Sequence, residues 1–268
     1  MALIERKEYT DWLKRYRDKK IIKVITGLRR VGKSTIFELY IAQLLKEGVA
    51  PEQIIKINFE ELENEPLLDR RALYRFLSSR LLPDRKLYIF LDEVQRVPEF
   101  EKVVDSLFVK DNVDLYITGS NAKFLSSEIA TLLTGRYVEI NVLPLSFREY
   151  SDHFAASGKD RRALFMDYVT YGALPGMFMF DTGSAEQREY VESVYKTILE
   201  KDVLKRNSAA SRQLVESLLS YLVYNIGCLT SAKRISDTLN SNGTKVSYNT
   251  ENSYIETLQD CFFIYKAD

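Results

Sequence analysis

A layered α/β fold on a parallel sheet, followed by an all-helical region, is predicted by three features of this 268-residue chain. Five strand-like runs alternate with helical patterns up to about residue 142. Strand signals vanish from Leu143 onward. Residues 27–34, between the first run and the first helix, read Gly-Leu-Arg-Arg-Val-Gly-Lys-Ser. Alternation of this kind is the pattern of parallel strands joined by crossover helices. The runs lie at 21–26, 54–59, 86–91, 113–118 and 137–142. In 87–91 the near-continuous apolar content marks a central strand covered on both faces. Helical spacing predicts helices at 35–47, 67–81, 99–109 and 122–133. The first carries Phe37, Tyr40, Ile41, Leu44 and Leu45 as one stripe and is stopped by Gly48. The third opens with Pro98, favoured at a helix start, and the fourth ends at Gly135.

The octapeptide satisfies G-x-x-x-x-G-K-[ST] and has strand, loop and helix in register, which points to a P-loop NTPase three-layer sheet. Gly27 and Gly32 let the backbone bend, so that N–H groups across Leu28, Arg29, Arg30, Val31, Lys33, Ser34 and Thr35 converge on phosphates. The Lys33 ammonium reaches the β- and γ-phosphates, the Ser34 hydroxyl holds Mg²⁺, and the helix that follows adds its N-terminal partial charge. Downstream, the apolar run 87–91 leads straight into Asp92-Glu93. Asp92 at the strand tip suits the water shell of Mg²⁺ beside Ser34, and Glu93 suits the polarisation of an attacking water. A water-activating carboxylate favours hydrolysis over a small-molecule kinase, for which no acceptor pocket is discernible.

Ser120 and Asn121 follow the fourth run. Either could orient the water between Glu93 and the γ-phosphate, or could simply cap the next helix. Asn58, at the tip of the second run, is a candidate to hold Glu93 in check. Arg136 follows Gly135. It reads either as an arginine finger reaching a neighbouring subunit of a homo-oligomer in trans, or as a cap on helix-end carbonyls.

Beyond residue 143 the chain reads as helices. Ser146-x-x-Glu149 and Ser184-x-x-Gln187 are capping-box signatures, residues 171–176 form a turn, and long helices are expected at 184–205 and 209–226. A helix at 230–240, a turn at 241–244, a helix at 247–260 and a strand from 261 outline a winged helix-turn-helix, with the chain stopping where a wing hairpin would continue. The domains expected are therefore 1–143, 144–228 and 229–268. Residues 201–268 hold eight basic and seven acidic side chains, a balance that gives DNA phosphates little attraction. DNA binding and a packing or partner-docking module both remain open for this module.

Composition excludes several classes. Formal net charge is zero, so nothing overall argues for a polyanion partner. Residues 1–35 are locally basic, with eleven Lys/Arg against four Asp/Glu, read as a solvated helix face or a nucleic-acid patch. The two cysteines, Cys228 and Cys261, are far apart and lack C-x-x-C partners, which fits a reducing cytosol rather than a disulfide framework or thiolate metal site. The one histidine, His153, is read as structural, which excludes His-based triads and H-E-x-x-H sites. The most apolar stretch, 163–180, is broken by Asp167, Gly172, Pro175 and Gly176, so no membrane span is expected and a cytoplasmic location is.

The segments 27–35, Leu-Asp-Glu-Val-Gln (91–95), Thr-Gly-Ser-Asn-Ala (118–122), Leu-Thr-Gly-Arg (133–136), Pro-Leu-Ser-Phe-Arg-Glu-Tyr (144–150), Tyr-Gly-Ala-Leu-Pro (171–175) and Lys-Asp-Val (201–203) span nearly the whole chain. Together they resemble the prokaryotic AAA-superfamily ATPases whose nucleotide domain precedes a long, poorly characterised C-terminal region. The resemblance implies ATP, Mg²⁺ and a sheet in which one strand separates the phosphate-loop strand from the Asp92-Glu93 strand. It also implies a C-terminal winged helix, usually followed by a restriction-endonuclease-like core that this sequence does not reach. Ala173 departs from the pattern, where a second glycine is usual. Two functions follow as expectations. One is an ATP hydrolase that couples phosphate loss to movement of the helical and winged-helix regions, with nucleic acid as a candidate partner. The other is a slowly hydrolysing, nucleotide-dependent switch or scaffold that signals through a protein. Turnover with and without DNA separates them.

Overall fold

The computed structural model describes residues 4–120, 133–206, 212–241 and 248–267. It divides into two units, one ending at Tyr190 and the other starting at Val191.

In the first unit the expected strands form one parallel sheet: β1 (Ile22–Gly27), β2 (Ile54–Asn58), β3 (Leu87–Asp92), β4 (Val113–Gly119) and β5 (Tyr137–Val142). The order is β2-β3-β4-β1-β5, so β4 stands between β1 and β3 as the resemblance implies. Alternate residues of the central strands feed two cores, which is why β3 reads as a near-continuous apolar run. Ile22, Val24, Leu87, Ile89 and Leu91 face one cluster, whereas Ile25, Tyr88, Phe90 and Tyr116 face the other. Helix α1 (Lys7–Tyr16) and α2 (Lys33–Lys46) cover the second face through Leu13, Phe37, Tyr40 and Leu44. Helices α3 (Arg70–Ser78) and α4 (Phe100–Phe108) cover the first through Leu73, Leu77, Val104 and Leu107. Within the second face lies a buried ion pair, Lys23 with Asp114. Asp114 also accepts from the Tyr116 hydroxyl at 2.8 Å and the Asp18 amide at 3.0 Å.

Local chemistry revises several helix boundaries. The segment expected as one helix at 67–81 is a 3₁₀ stretch, Leu62–Leu68, and then α3. Pro66 lies in the first piece, and the Asp69 carboxylate caps the second by accepting from the Ala72 amide at 2.8 Å. Pro98 does not open α4. The chain turns once more through Glu99, whose φ is 56°, before the helix starts at Phe100. The helix expected at 122–133 lies almost wholly outside the described residues.

After β5 come α5 (Phe147–His153), α6 (Arg161–Tyr171) and a 3₁₀ turn at Pro175–Met179. The capping box of α5 forms as expected: the Glu149 carboxylate accepts from the Ser146 amide at 2.8 Å, and Ser146 Oγ accepts from the Glu149 amide at 3.3 Å. At α7 (Ala185–Ile198) the box is offset. Ser184 Oγ accepts from the Gln187 amide at 3.1 Å, while the Gln187 side chain accepts from Gly183, one residue earlier.

In the second unit the helix expected to reach residue 205 changes pitch, through a π turn at Leu199–Val203 and a 3₁₀ turn at Leu204–Arg206. Helices α8 (Arg212–Tyr224), α9 (Ala232–Ser241) and α10 (Tyr248–Asp260) pack around Val215, Leu218, Ile235, Leu239 and Leu258. No strand forms at 261–265. Phe262 takes a left-handed φ of 57°, its amide bonds the Gln259 carbonyl at 2.9 Å, and the Phe263 amide bonds the Leu258 carbonyl at 2.9 Å. That pair of bonds is a Schellman cap on α10, and it directs Phe263 onto the helical core instead of into a wing. Most of the turn expected at 241–244 lies outside the described residues. Among the described residues no helix is long and apolar enough to cross a membrane.

Candidate functional site

β1 delivers the 27–34 loop to the carboxyl end of the sheet, the edge at which parallel α/β sheets bind ligands. Gly27 is required there by close approach. Its φ is 142°, and a Cβ on it would stand 2.4 Å from the Val142 carbonyl oxygen of β5. Gly32 takes φ 95° as the N-terminal cap of α2 and supplies no side-chain acceptor, so the first amides of that helix are left for an anion. Arg30 between them is also left-handed, with φ 69°. Lys33 is buried. Its ammonium donates to the Gly27 and Leu28 carbonyls at 3.1 and 3.2 Å and lies 3.5 Å from Glu93 Oε1. Burial pulls the Lys33 pKa below its ordinary value, against Glu93 and Asp92, which push it up.

β3 delivers the two carboxylates, and β4 holds them. Thr118 Oγ1 donates to Asp92 Oδ1 at 2.5 Å and accepts from the Glu93 amide at 2.9 Å, so one hydroxyl sets the backbone that splits the pair. Asp92 is fully buried, and among the described residues its Oδ2 has no hydrogen-bond partner of standard geometry. Burial raises its pKa above the usual carboxylate range, although the hydroxyls of Ser34 and Thr118 pull it down. A fully buried carboxylate facing a serine hydroxyl fits a hard divalent cation that takes its remaining ligands from phosphate oxygens and water. Glu93 leaves the strand in a left-handed turn with φ 55°. Its Oε2 accepts from Ser120 Oγ at 3.0 Å and from Gln95 Nε2 at 2.5 Å.

Residues 19–151 match the AAA domain family, and residues 162–268 match a domain of unknown function (DUF8612). An uncharacterised protein of Haemophilus influenzae is 35% identical over 99% of this chain and 67% of its own length. The chain belongs to the AAA superfamily of P-loop ATPases. A second uncharacterised relative, from Methanocaldococcus jannaschii, is 28% identical over 91% of this chain and 56% of its own length. The chain thus spans about two thirds and a little over half of these two relatives. A Walker-type ATPase of Pyrococcus abyssi shares the fold, with a TM-score of 0.69 at 19% identity, over 99% of this chain and 91% of that one.

Within this AAA-superfamily fold the other sequence-derived residues are distributed unevenly. Ser120 joins Glu93, and Asn121 lies outside the described residues. Asn58 does not reach Glu93. Its amide donates to Glu61 at 3.3 Å and its oxygen accepts from the Glu60 amide at 3.0 Å, closing its own turn; among the described residues the side chains that meet the Glu93 carboxylate are Lys33, Ser120 and Gln95. Arg29 faces Glu60 at 3.4 Å. Arg136 pairs with Asp105 at the start of β5, where Tyr137 stands beside Ile22, whereas the 27–34 loop leaves the far end beside Val142. Six residues of strand put roughly 20 Å between them.

Sequence reasoning missed three groups. Thr118 is a strand-tip hydroxyl that acts only because β4 neighbours β3. Buried Arg6 donates to the Val31 carbonyl of the loop at 3.2 Å, to the Leu143 carbonyl at 3.0 Å and to Glu149 of α5 at 2.7 Å. Pro175 approaches the loop, 3.7 Å from where a Cβ on Gly32 would lie. Its motif was legible, but its position was not.

Proposed function

We propose that this chain binds ATP with Mg²⁺ on the 27–34 loop and hydrolyses the terminal phosphate. The observation that carries the reading is the division of the carboxylate pair. Asp92 is fully buried beside the Ser34 hydroxyl, whereas Glu93 is turned away from it to face Lys33. Loop amides and the amides of the first turn of α2 would hold the phosphates. The ammonium of Lys33 would leave Glu93 and the two loop carbonyls for the β- and γ-phosphates, which releases Glu93 Oε1. That carboxylate then takes a proton from water as the water oxygen bonds to the γ-phosphorus. The bond from phosphorus to the bridging oxygen breaks, and the electron pair departs with ADP. Held by Ser34 and Asp92, Mg²⁺ would supply charge neutralisation on the phosphate oxygens.

Coupling to the helices of the first unit is part of the proposal, with Arg6 and Pro175 as the points at which they meet the loop. A trans role for Arg136 in a homo-oligomer also belongs here; it requires the guanidinium to leave Asp105, and the alternative is a local structural role in that ion pair. Nucleic acid as partner rests on the helix pair α9–α10 and predicts stimulation by DNA with a steep salt dependence.

The test is ATP turnover and nucleotide affinity in the parent, Lys33→Ala and Glu93→Gln. Lys33→Ala should weaken binding or abolish turnover, and Glu93→Gln should bind ATP and fail to hydrolyse it. Parent-like hydrolysis by Glu93→Gln would overturn the assignment of the water-activating group.

A further inference from the structure

We propose that Gln95 is the positioning residue for Glu93, clamping one carboxylate oxygen so that the other is presented to water. The inference rests on the hydrolysis reading above and deepens it. Gln95 sits in the 3₁₀ turn Val94–Arg96 that follows the left-handed Glu93, so the backbone reverses and brings the amide back onto the preceding carboxylate. Gln95 Nε2 donates to Glu93 Oε2 at 2.5 Å and lies 3.5 Å from Ser120 Oγ, whose hydroxyl donates to the same oxygen at 3.0 Å. Two donors from two different elements thus meet on one oxygen. Glu93 Oε1 is left facing Lys33, the group that phosphate would draw away.

Amide orientation is fixed by chemistry, because the reverse placement would set the amide oxygen against the carboxylate. As placed, Gln95 Oε1 is buried with no hydrogen-bond partner among the described residues. A buried acceptor left unsatisfied is unfavourable. The bond to Glu93 is therefore what the amide gains in this position. Without it, and once Lys33 leaves, Ser120 is the one side chain among the described residues that still holds this glutamate with its three rotatable bonds. Loss of alignment at the reacting atoms lowers the chemical step and not affinity.

The experiment measures kcat and KM for ATP, together with affinity for a fluorescent ATP analogue, in the full chain. The variants are Gln95→Ala, Gln95→Glu, Glu93→Gln and the double variant Glu93→Gln/Gln95→Ala. Gln95→Glu conserves size and, when ionised, removes the donor and sets a second carboxylate against Glu93, so it breaks the hydrogen bond without opening a cavity, and Gln95→Ala breaks it without adding charge. Analogue binding reports an intact site in each variant. Both Gln95 variants should lose about tenfold or more in kcat, with analogue affinity within about threefold of the parent. In the Glu93→Gln background, Gln95→Ala should change the residual rate by less than about twofold, since a residue acting through Glu93 has nothing left to position. A kcat within about twofold of the parent, a raised kcat, or a further loss in the Glu93→Gln background overturns the inference. If Glu93→Gln is inactive while Gln95→Ala is normal, only this inference falls. If Glu93→Gln itself turns over normally, the hydrolysis reading falls first.

Discussion

Replacing Lys23 with methionine tests what holds the strand beneath the 27–34 loop. Lys23 is fully buried on β1, and Asp114 is 2% exposed on neighbouring β4. The ammonium pairs with Asp114, donates to the Lys19 carbonyl at 3.2 Å and lies 5.0 Å from the Tyr116 ring centre. Burial already holds its pKa below the ordinary lysine value, with Asp114 opposing the shift. Lys23→Met conserves volume but leaves a carboxylate in a nearly dry interior. Breaking such a pair from one side costs about 3–5 kcal/mol. The Tyr116 hydroxyl and the Asp18 amide still donate to Asp114, so we expect the lower end, about 3 kcal/mol. For a unit of this size that is a fall in Tm of roughly 6–12 °C. Asp114→Leu should cost at least as much by stranding the ammonium, and Lys23→Met/Asp114→Leu should recover most of the loss. Thermal unfolding followed by circular dichroism reads all three. A single variant within about 2 °C of the parent, or a double variant as unstable as the sum of the singles, would refute the reasoning.

Asp92→Asn should leave the fold at least as stable and abolish most of the gain in ATP affinity from added Mg²⁺; titrations with Mg²⁺ and with chelator check this, and an unchanged gain would remove Asp92 from the cation site. Mixing Arg136→Ala with Glu93→Gln chains should restore turnover above either alone if arginine acts across a subunit boundary, and normal assembly without recovery would count against it. Glu251 of α10 is fully buried, with no hydrogen-bond partner of standard geometry on either carboxyl oxygen among the described residues, and burial pushes its pKa up to about 7, with Ser236 opposing the shift and Asp237 adding to it. Because the folded state holds that proton more tightly than the unfolded chain, stability is fully present below about pH 4.5 and falls as pH rises to about 7. Glu251→Gln should therefore be near-neutral at pH 4 and stabilising by up to about 3 kcal/mol at pH 8, as read by urea unfolding. An equal effect at both pH values would show that ionisation of Glu251 is not involved.

Strand positions were legible because apolar and β-branched residues dominate each central strand, Lys23 of β1 and Asp114 of β4 apart, and only the strand ends moved, by a residue. Helix ends were less legible where a short-range competitor intervened. Pro66 and Asp69 broke one segment, Glu99 delayed another, and Phe262 turned an expected strand into a helix cap. A phenylalanine in the left-handed region gives no warning in sequence, since its place is decided by the core onto which its neighbour packs. The site divides along the same line. That Lys33, Ser34, Asp92 and Glu93 would come together was legible from loop chemistry and strand tips, but Asn58 does not join them, because position in a strand does not say which side chain closes its own turn.

By itself the sequence determined the layered α/β architecture, the glycine-dependent loop and the acidic pair, because each depends on neighbours a few residues apart. Only the tertiary structure decided that Thr118 would set the Asp92-Glu93 backbone, that Gln95 and Ser120 would meet on one oxygen, and that Arg6 would join the loop to a helix 143 residues away. Those contacts depend on strand order and on which buried polar atoms find partners. Both are properties of the packed whole, and no local pattern encodes them.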